Sequence, residues 1–538
     1  MEKKSGTKRR ERATRKCRRV PLRKQQTAAS SIAPPLRPSS FTGKSSSFKK
    51  TTMAVAQTGT PPEVVTEIFL QFQAIISKTQ TPFDSNSYDW IGLSQVCTYW
   101  RAVAHNCPQL WACIHTKNTA AAATLLQRSR QAQLQVTYLV AYGLEGIVCF
   151  QEVVAKHLPR VSSLYLEVTS GMEPILAYLD ISRLKKKCLQ NVILIFRSGH
   201  VPLLDFYGGS SSSSISFLQP RVNLFHAALK TLHIHYVETP GISNETLLRT
   251  LAVLPLLEYL AVSGLSSASS SGQPSSIVCL PHIKGLIVMN DDSDACTELL
   301  SSVCVPPTAE VVVKFTGVYH LQYTAHREVL SNLASAISQG LFSTTARRGP
   351  TLHLESLDIT FVFKIDFYIL QVVGWNIPGQ TAPALIIELP ICRMDCDISA
   401  DCALLQFCGV LAPPTLRSLT LDYMPLDHPE DVIPRFLQPF QSLEKLSMSR
   451  SVRTVMSHID TTVLPALKTV VFSPDRASGK AAFPSELIHA LEQRRARGIP
   501  IQEVVVQSHE DADDLVLHAL REVVQSVKWV VKPSRISH

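Results

Sequence analysis

LRSLTLDYM (416–424), LEKLSMSR (443–450) and LKTVVFS (467–473) follow one another late in the chain and share one pattern. Each has large apolar residues at its first, fourth and sixth positions: Leu416, Leu419 and Leu421; Leu443, Leu446 and Met448; Leu467, Val470 and Phe472. The last two of each set are separated by one residue, the period of a strand with one buried face. The centres Leu419, Leu446 and Val470 lie 27 and 24 residues apart. That is too far for a tight hairpin and enough for a crossover that returns the next strand parallel to the last. Repetition of the unit predicts a parallel sheet assembled strand by strand.

The same unit recurs towards the N-terminus in VSSLYLEV (161–168), LKTLHIHYV (229–237), LLEYLAVSGL (256–265), IKGLIVMN (283–290) and LESLDITFVF (354–363), and later in IQEVVVQ (501–507). Further strands are expected at Leu134 to Val140, CLQNVILIF (188–196), AEVVVKF (309–315) and ALIIEL (384–389). Leu286 and Val312, taken as centres, are 26 residues apart. These intervals resemble those of leucine-rich repeats, which run about 20 to 29 residues. Helical stretches fall between the strands, at Ala120 to Ser129, 244–254, 326–341 and 485–498. Strand and helix in alternation imply an α/β solenoid with a parallel sheet on its concave side. The asparagine that usually follows such a strand is mostly absent and some intervals are far longer, so the repeats are irregular and an open α/β sheet competes.

The chain has 538 residues and a formal charge of +10. Residues 1–50 hold sixteen Lys and Arg against Glu2 and Glu11, a local charge of +14, which leaves −4 for the rest. A nucleic-acid surface on the body is therefore not expected, since phosphate contacts need a concentrated basic face. The segment 1–58 reads as a disordered basic tail. Its stretch KRRERATRKCRRVPLRK (8–24) has the character of a nuclear-import address or of a solvated charge run. Met53 is an alternative start. TGKSSS (42–47) lacks the first glycine of a phosphate loop, and two serine runs (208–214 and 266–272) read as loops. No secretory signal and no membrane-length apolar run is read, because Lys364 and Asp366 break the nearest, FVFKIDFYILQVVGW (361–375). The expected compartment is cytoplasmic or nuclear, with the thirteen cysteines as thiols.

Between these segments, PPEVVTEIF (61–69) opens a helix whose Val64, Val65, Ile68, Phe69 and Phe72 form one expected apolar stripe. A polar insert follows, then LSQVCTYWRAVA (93–104) and CPQLW (107–111). In order and spacing these pieces resemble an F-box of the kind abundant in mushroom-forming fungi, over about fifty residues. Two departures stand out: Thr60 replaces the leucine usual before the proline pair, and the insert is long. The resemblance implies docking on a Skp-type adaptor protein of a cullin ubiquitin ligase, and a protein substrate held on the following repeats. Pro62, Val65, Ile68, Phe69, Leu93, Val96, Cys97 and Trp100 are the candidates for adaptor docking or for the F-box core. The expected divisions are the tail at 1–58, the F-box-like domain at 59–116 and the leucine-rich-repeat-like solenoid at 117–538. Two other readings stay open: a repeat scaffold whose helical unit is only a cap, and a nuclear protein binding nucleic acid through the tail.

No catalytic set is found, so no enzyme and no cofactor is expected. Cys392, Cys396, Cys402 and Cys408 could supply four thiolates to zinc, but without a short two-residue pair they read as small apolar residues, and no metal is assigned. His233 and His235 alternate on one strand and share a face.

Overall fold

Each apolar triplet becomes a strand of one sheet. The computed structural model describes residues 60–79, 88–139, 142–168, 188–197, 228–237, 242–266, 277–315, 326–338, 353–364, 367–377, 380–392, 400–405, 415–426, 428–449, 455, 464–473, 485–508 and 514–531. The basic tail, the phosphate-loop-like TGKSSS, Met53 and the serine run at 208–214 lie outside them, as do residues 267–272 of the second serine run and the side chains of the four clustered cysteines.

The strands are β1 (Cys113–His115), β2 (Leu134–Tyr138), β3 (Val161–Val168), β4 (Asn191–Phe196), β5 (Thr231–Tyr236), β6 (Tyr259–Ser263), β7 (Gly285–Asn290) and β8 (Glu310–Phe315). They continue as β9 (Ser356–Phe363), β10 (Phe367–Trp375), β11 (Leu385–Cys392), β12 (Ser418–Asp422), β13 (Lys445–Met448), β14 (Thr469–Phe472), β15 (Glu503–Ser508) and β16 (Ser526–Val531). Among the described residues they form one 16-stranded sheet in the order β1 to β8, then β11, β10, β9, then β12 to β16. Neighbours are parallel except at β9–β10 and β10–β11, which are antiparallel. The architecture is thus mixed α/β with a long, mostly parallel sheet.

Register follows from burial. Val136, Leu164, Val192, Leu232, Leu260, Leu286, Val311 and Leu385 stand opposite one another strand by strand. Beyond the antiparallel strands, Leu357, Leu419, Leu446, Val470 and Val504 continue the row. None of these side chains is more than 1% exposed. A slip of one residue would turn a strand's apolar set to the other face, so the row fixes every pairing it passes through. Gly374 occupies the row between Leu385 and Leu357. A Cβ there would stand 2.8 Å from Cδ1 of the buried Leu354, which already fills the space.

Two expectations need correction. Val312 is not the centre of its strand: Val311 pairs with Leu286, and Val312 pairs with Ile287 on the opposite face. Three successive valines, all of them buried, leave the period-2 signal silent about which of them joins the row. The strands also do not advance in simple order. After β8 the chain skips two places, lays down β9, and returns through β10 and β11 to meet β8. The stretch 361–375, closest in sequence to a membrane segment, is the end of β9 and the whole of β10. Lys364, which helped to break its apolar run, directly follows β9, and Asp366 lies outside the described residues. No helix among the described residues is long and apolar enough to cross a membrane.

Helices occupy the returns. Asn118 caps the helix Thr119–Arg128 by accepting from the Ala121 amide at 2.9 Å, and Asp292 caps Ser293–Ser302 by accepting from Asp294 and Ala295 at 2.9 and 3.0 Å. Such caps satisfy amides that the first turn leaves without partners. The helix Asn244–Leu251 touches Ser293–Ser302, which touches His326–Ile337, so helices from successive returns lie side by side. One apolar core runs from Val65 to Val524. At the end of β7, Asn290 accepts from the Leu265 amide at 2.9 Å and donates to the Leu265 carbonyl at 3.0 Å, tying two successive turns together. Gly264 beside it has φ +67, and a Cβ there would meet the Tyr236 carbonyl oxygen at 2.8 Å.

Just before several strands the chain carries charge. Glu258 bridges Lys230 at 2.9 Å and Lys284 at 2.6 Å, and Glu444 pairs with Lys468 at 3.4 Å. Hydrogen bonds from Lys284 and Lys230 hold the Glu258 carboxyl down to about 2. These exposed pairs contribute little stability, but like charges meeting there would penalise a wrong neighbour.

The buried row gives a direct test. Leu446→Ala should cost about 2–5 kcal/mol in denaturant unfolding, since the cavity lies where β12, β13 and β14 meet. Lys445→Ala, one residue away on the exposed side, should change stability by less than about 0.5 kcal/mol.

Candidate functional site

Two surfaces stand out: the outer face of the N-terminal helices and the face of the sheet opposite the buried row. The first is built from α1 (Pro62–Thr79), a 3-10 helix (Asp89–Gln95), α2 (Thr98–Asn106) and a second 3-10 turn (Pro108–Trp111). Pro62 stands at the first position of α1, where its missing N–H costs no bond. Cys97 caps α2, its sulfur accepting from the Trp100 amide at 3.4 Å. The rings of Phe69 and Trp100 meet edge to face at 5.4 Å, and those of Trp90 and Trp111 at 5.0 Å. Gln73 Nε2 donates to the Leu110 carbonyl at 3.2 Å, joining α1 to the second turn.

The expected single stripe on α1 is in fact two. Val65 and Phe69 are each 1% exposed and point into the core. Val64, Ile68, Phe72 and Ile75 are 47, 45, 38 and 57% exposed. Their spacing of four, four and three residues puts them along one side of the helix. Of the eight candidate residues, Val65 and Phe69 are buried, Leu93, Cys97 and Trp100 half-buried, and Pro62, Ile68 and Val96 exposed. The structure therefore divides that set into residues that hold the helices together and residues that face outward. Ile75 was missed because it sits past the motif, yet its spacing from Ile68 and Phe72 was readable.

The helical unit is fastened to the first strand. Trp111 Nε1 donates to the Ala104 carbonyl at 2.8 Å, and the Arg128 guanidinium lies over the Trp111 ring at 4.3 Å. The His115 amide in β1 donates to the Tyr88 hydroxyl at 3.0 Å, and the two rings meet edge to face at 5.2 Å. Burial lowers the His115 imidazole to about 4 and raises the Tyr88 phenol.

On the second surface, Tyr165, Ile193, His233, Ala261 and Ile287 line up across β3 to β7. His233 and His235 do share this face; both are half-buried, burial lowers both, and His235 contacts the Ser263 hydroxyl. Beyond the meander of β9 to β11 the same face turns polar: Asp358, Thr420 and Ser447 pair in one row, with Thr360 and Asp422 in the next. A cleft of about 300 Å³ opens there over Thr420, Asp422, Ser447, Ser449, Ser473 and Gln507. Sequence reading did not single these residues out, although each stands next to a buried apolar residue. Among the described residues no group of His, Cys, Asp and Glu could hold a metal ion.

No protein-family model matches the chain, and no curated protein matches it. Among solved structures it is similar to the leucine-rich repeat-containing protein LegL7 of Legionella pneumophila, at 13% identity and a TM-score of 0.25, covering 68% of this chain and 90% of that one.

The junction makes a pH prediction. The His115 imidazole titrates lower folded than unfolded, so its contribution is whole above about 6.5 and is lost as pH falls through about 4. In thermal melts over that window, His115→Gln should flatten the loss of stability relative to wild type.

Proposed function

We propose that this protein is an adaptor: its N-terminal helices dock on a Skp-type adaptor of a cullin ubiquitin ligase, and its sheet face presents a protein substrate. The observation that carries the reading is the exposed row Val64, Ile68, Phe72 and Ile75 on α1. Val64, Ile68 and Phe72 are exposed along one helix face, over a unit whose own core is already filled by Val65, Phe69, Trp90 and Trp111, and this is an apolar face a partner can cover. The resemblance of PPEVVTEIF, LSQVCTYWRAVA and CPQLW to an F-box supplies the partner's class. In this reading the chain makes and breaks no bonds itself; its partners carry the chemistry.

The plainer alternative is a protein-binding repeat scaffold whose helices only cap the first strand. The Tyr88–His115 and Trp111–Arg128 contacts support capping. Capping uses the inner side of the helical unit and docking would use the outer side of α1, so the alternative differs only in whether the outer row is occupied.

Co-purification with a Skp-type adaptor tests this. Wild type should retain it; Ile68→Glu and Phe72→Glu should lose it by about tenfold or more with unchanged circular dichroism and melting temperature. Val65→Glu should instead unfold the helical unit, because its side chain is buried. An adaptor bound equally well by wild type and Ile68→Glu, or not bound by wild type, sinks the reading.

A further inference from the structure

The acidic side chains of the open sheet face are held in two ways. Glu167 on β3 pairs with Arg197, Glu388 on β11 pairs with Lys314 at 2.9 Å, and Glu503 on β15 pairs with Lys528 at 2.5 Å. Asp358 and Asp422 instead hold hydroxyls: Thr420 donates to Asp358, and Ser449 donates to Asp422. No Lys or Arg lies within ion-pair distance of either among the described residues; Lys445 acts on Asp358 only from further off. Hydroxyl donors orient a carboxylate without cancelling its charge. Thr360 pairs with Asp422 and Asp358 with Thr420, so the two carboxyls are diagonal neighbours on adjoining strands. Burial raises Asp358, against the Thr420 hydrogen bond and the Lys445 charge, and the neighbouring Asp422 charge adds to the rise.

The floor changes along the cleft. From Thr420 the row passes to Ser447, Val471 and Val505 on β13, β14 and β15. Strands lie about 4.8 Å apart, so Asp358 on β9 and Val471 on β14, three steps apart in this row, are separated by about 14 Å. An extended chain covers that in about four residues at about 3.4 Å each.

We infer that this end of the sheet binds an extended protein segment bearing a Lys or Arg for Asp358 and Asp422, with an aliphatic side chain about four residues away for Val471 and Val505. Charge complementarity selects the occupant: a cation on the segment would complete Asp358 and Asp422, adjoining carboxyls with no ion pair among the described residues, as ion pairs already complete Glu167, Glu388 and Glu503. The inference supplies a substrate class for the adaptor proposed above, but its readout is independent of adaptor capture. Loss of one result leaves the other standing.

Fluorescence anisotropy with the full-length chain tests it, using three labelled peptides: one with Arg and Leu four residues apart in a Ser/Thr background, the same peptide with Glu for Arg, and a peptide of residues 8–24 of this chain. Wild type should bind the first and not the second. Asp422→Asn and Asp358→Asn, near-isosteric changes at half-buried positions, should each weaken it about five- to tenfold with an unchanged melting temperature, while Glu388→Gln should leave it unchanged. Equal binding of the Arg and Glu peptides, no binding of either, or binding indifferent to both Asp variants overturns the inference. Tighter, Asp422-dependent binding of the 8–24 peptide also overturns it, since the occupant would then be the chain's own basic segment.

Discussion

One buried row of side chains holds the molecule in register. From Val136 to Val504 it crosses the sheet perpendicular to the strands, passing through fourteen of them with a single glycine where Leu354 intrudes. Parallel strands have no tight turns to set their alignment, so burial must set it instead. The helices, charged entry residues and glycines answer to that row. Returns of different length are tolerated because only the strand, not the path back, has to meet its neighbour; in this chain the intervals vary widely while the register does not.

This explains what could and could not be read from the sequence. Strands with alternating leucines, such as 161–168, 416–424 and 443–450, were legible because one face is apolar and the other is not. β10 was missed as a strand: its two faces are similarly apolar, and the same run resembles a broken membrane segment as easily as a hairpin arm. β1 and β16 were missed for another reason. They are edge strands: β1 alternates about the buried Ile114 but is too short to make a pattern, and β16 has no buried side chain, so it offers no contrast. Reversal of order at β9 to β11 was not legible either: β9–β10 and β10–β11 join neighbours in the chain, but the pairings that place the meander, β11 on β8 and β9 on β12, join strands distant in the chain. The candidate helical site was legible as a motif, but motif letters do not say which side of a helix is covered. Val65 and Val64 are neighbours of one kind with opposite fates, and the aromatic pair Phe69 and Trp100 decides between them by drawing one side of α1 inward.

The two surfaces are separated by purpose as well as by place. Apolar side chains of α1 face outward at one extremity of the sheet, whereas aspartates and hydroxyls line its open face beyond the meander. Between them the sheet offers a continuous, hydrogen-bonded span in which every strand is fixed by both neighbours. A partner gripped at each surface would be held at a separation set by strand count rather than by linker length, which suits a protein that brings two others together.

The reversed meander has a consequence for how the chain is made. Through most of the sheet a strand's next neighbour follows within a few tens of residues, as Val311 follows Leu286. Val311 itself must wait for Leu385, and Leu357 must wait for Leu419. During synthesis the valine-rich edge of β8 therefore stands unpaired while β9 and β10 emerge. An unpaired apolar edge is the surface on which nascent chains aggregate or recruit chaperones. The middle of the sheet, fully internal in the finished molecule, is thus its most vulnerable point on the ribosome.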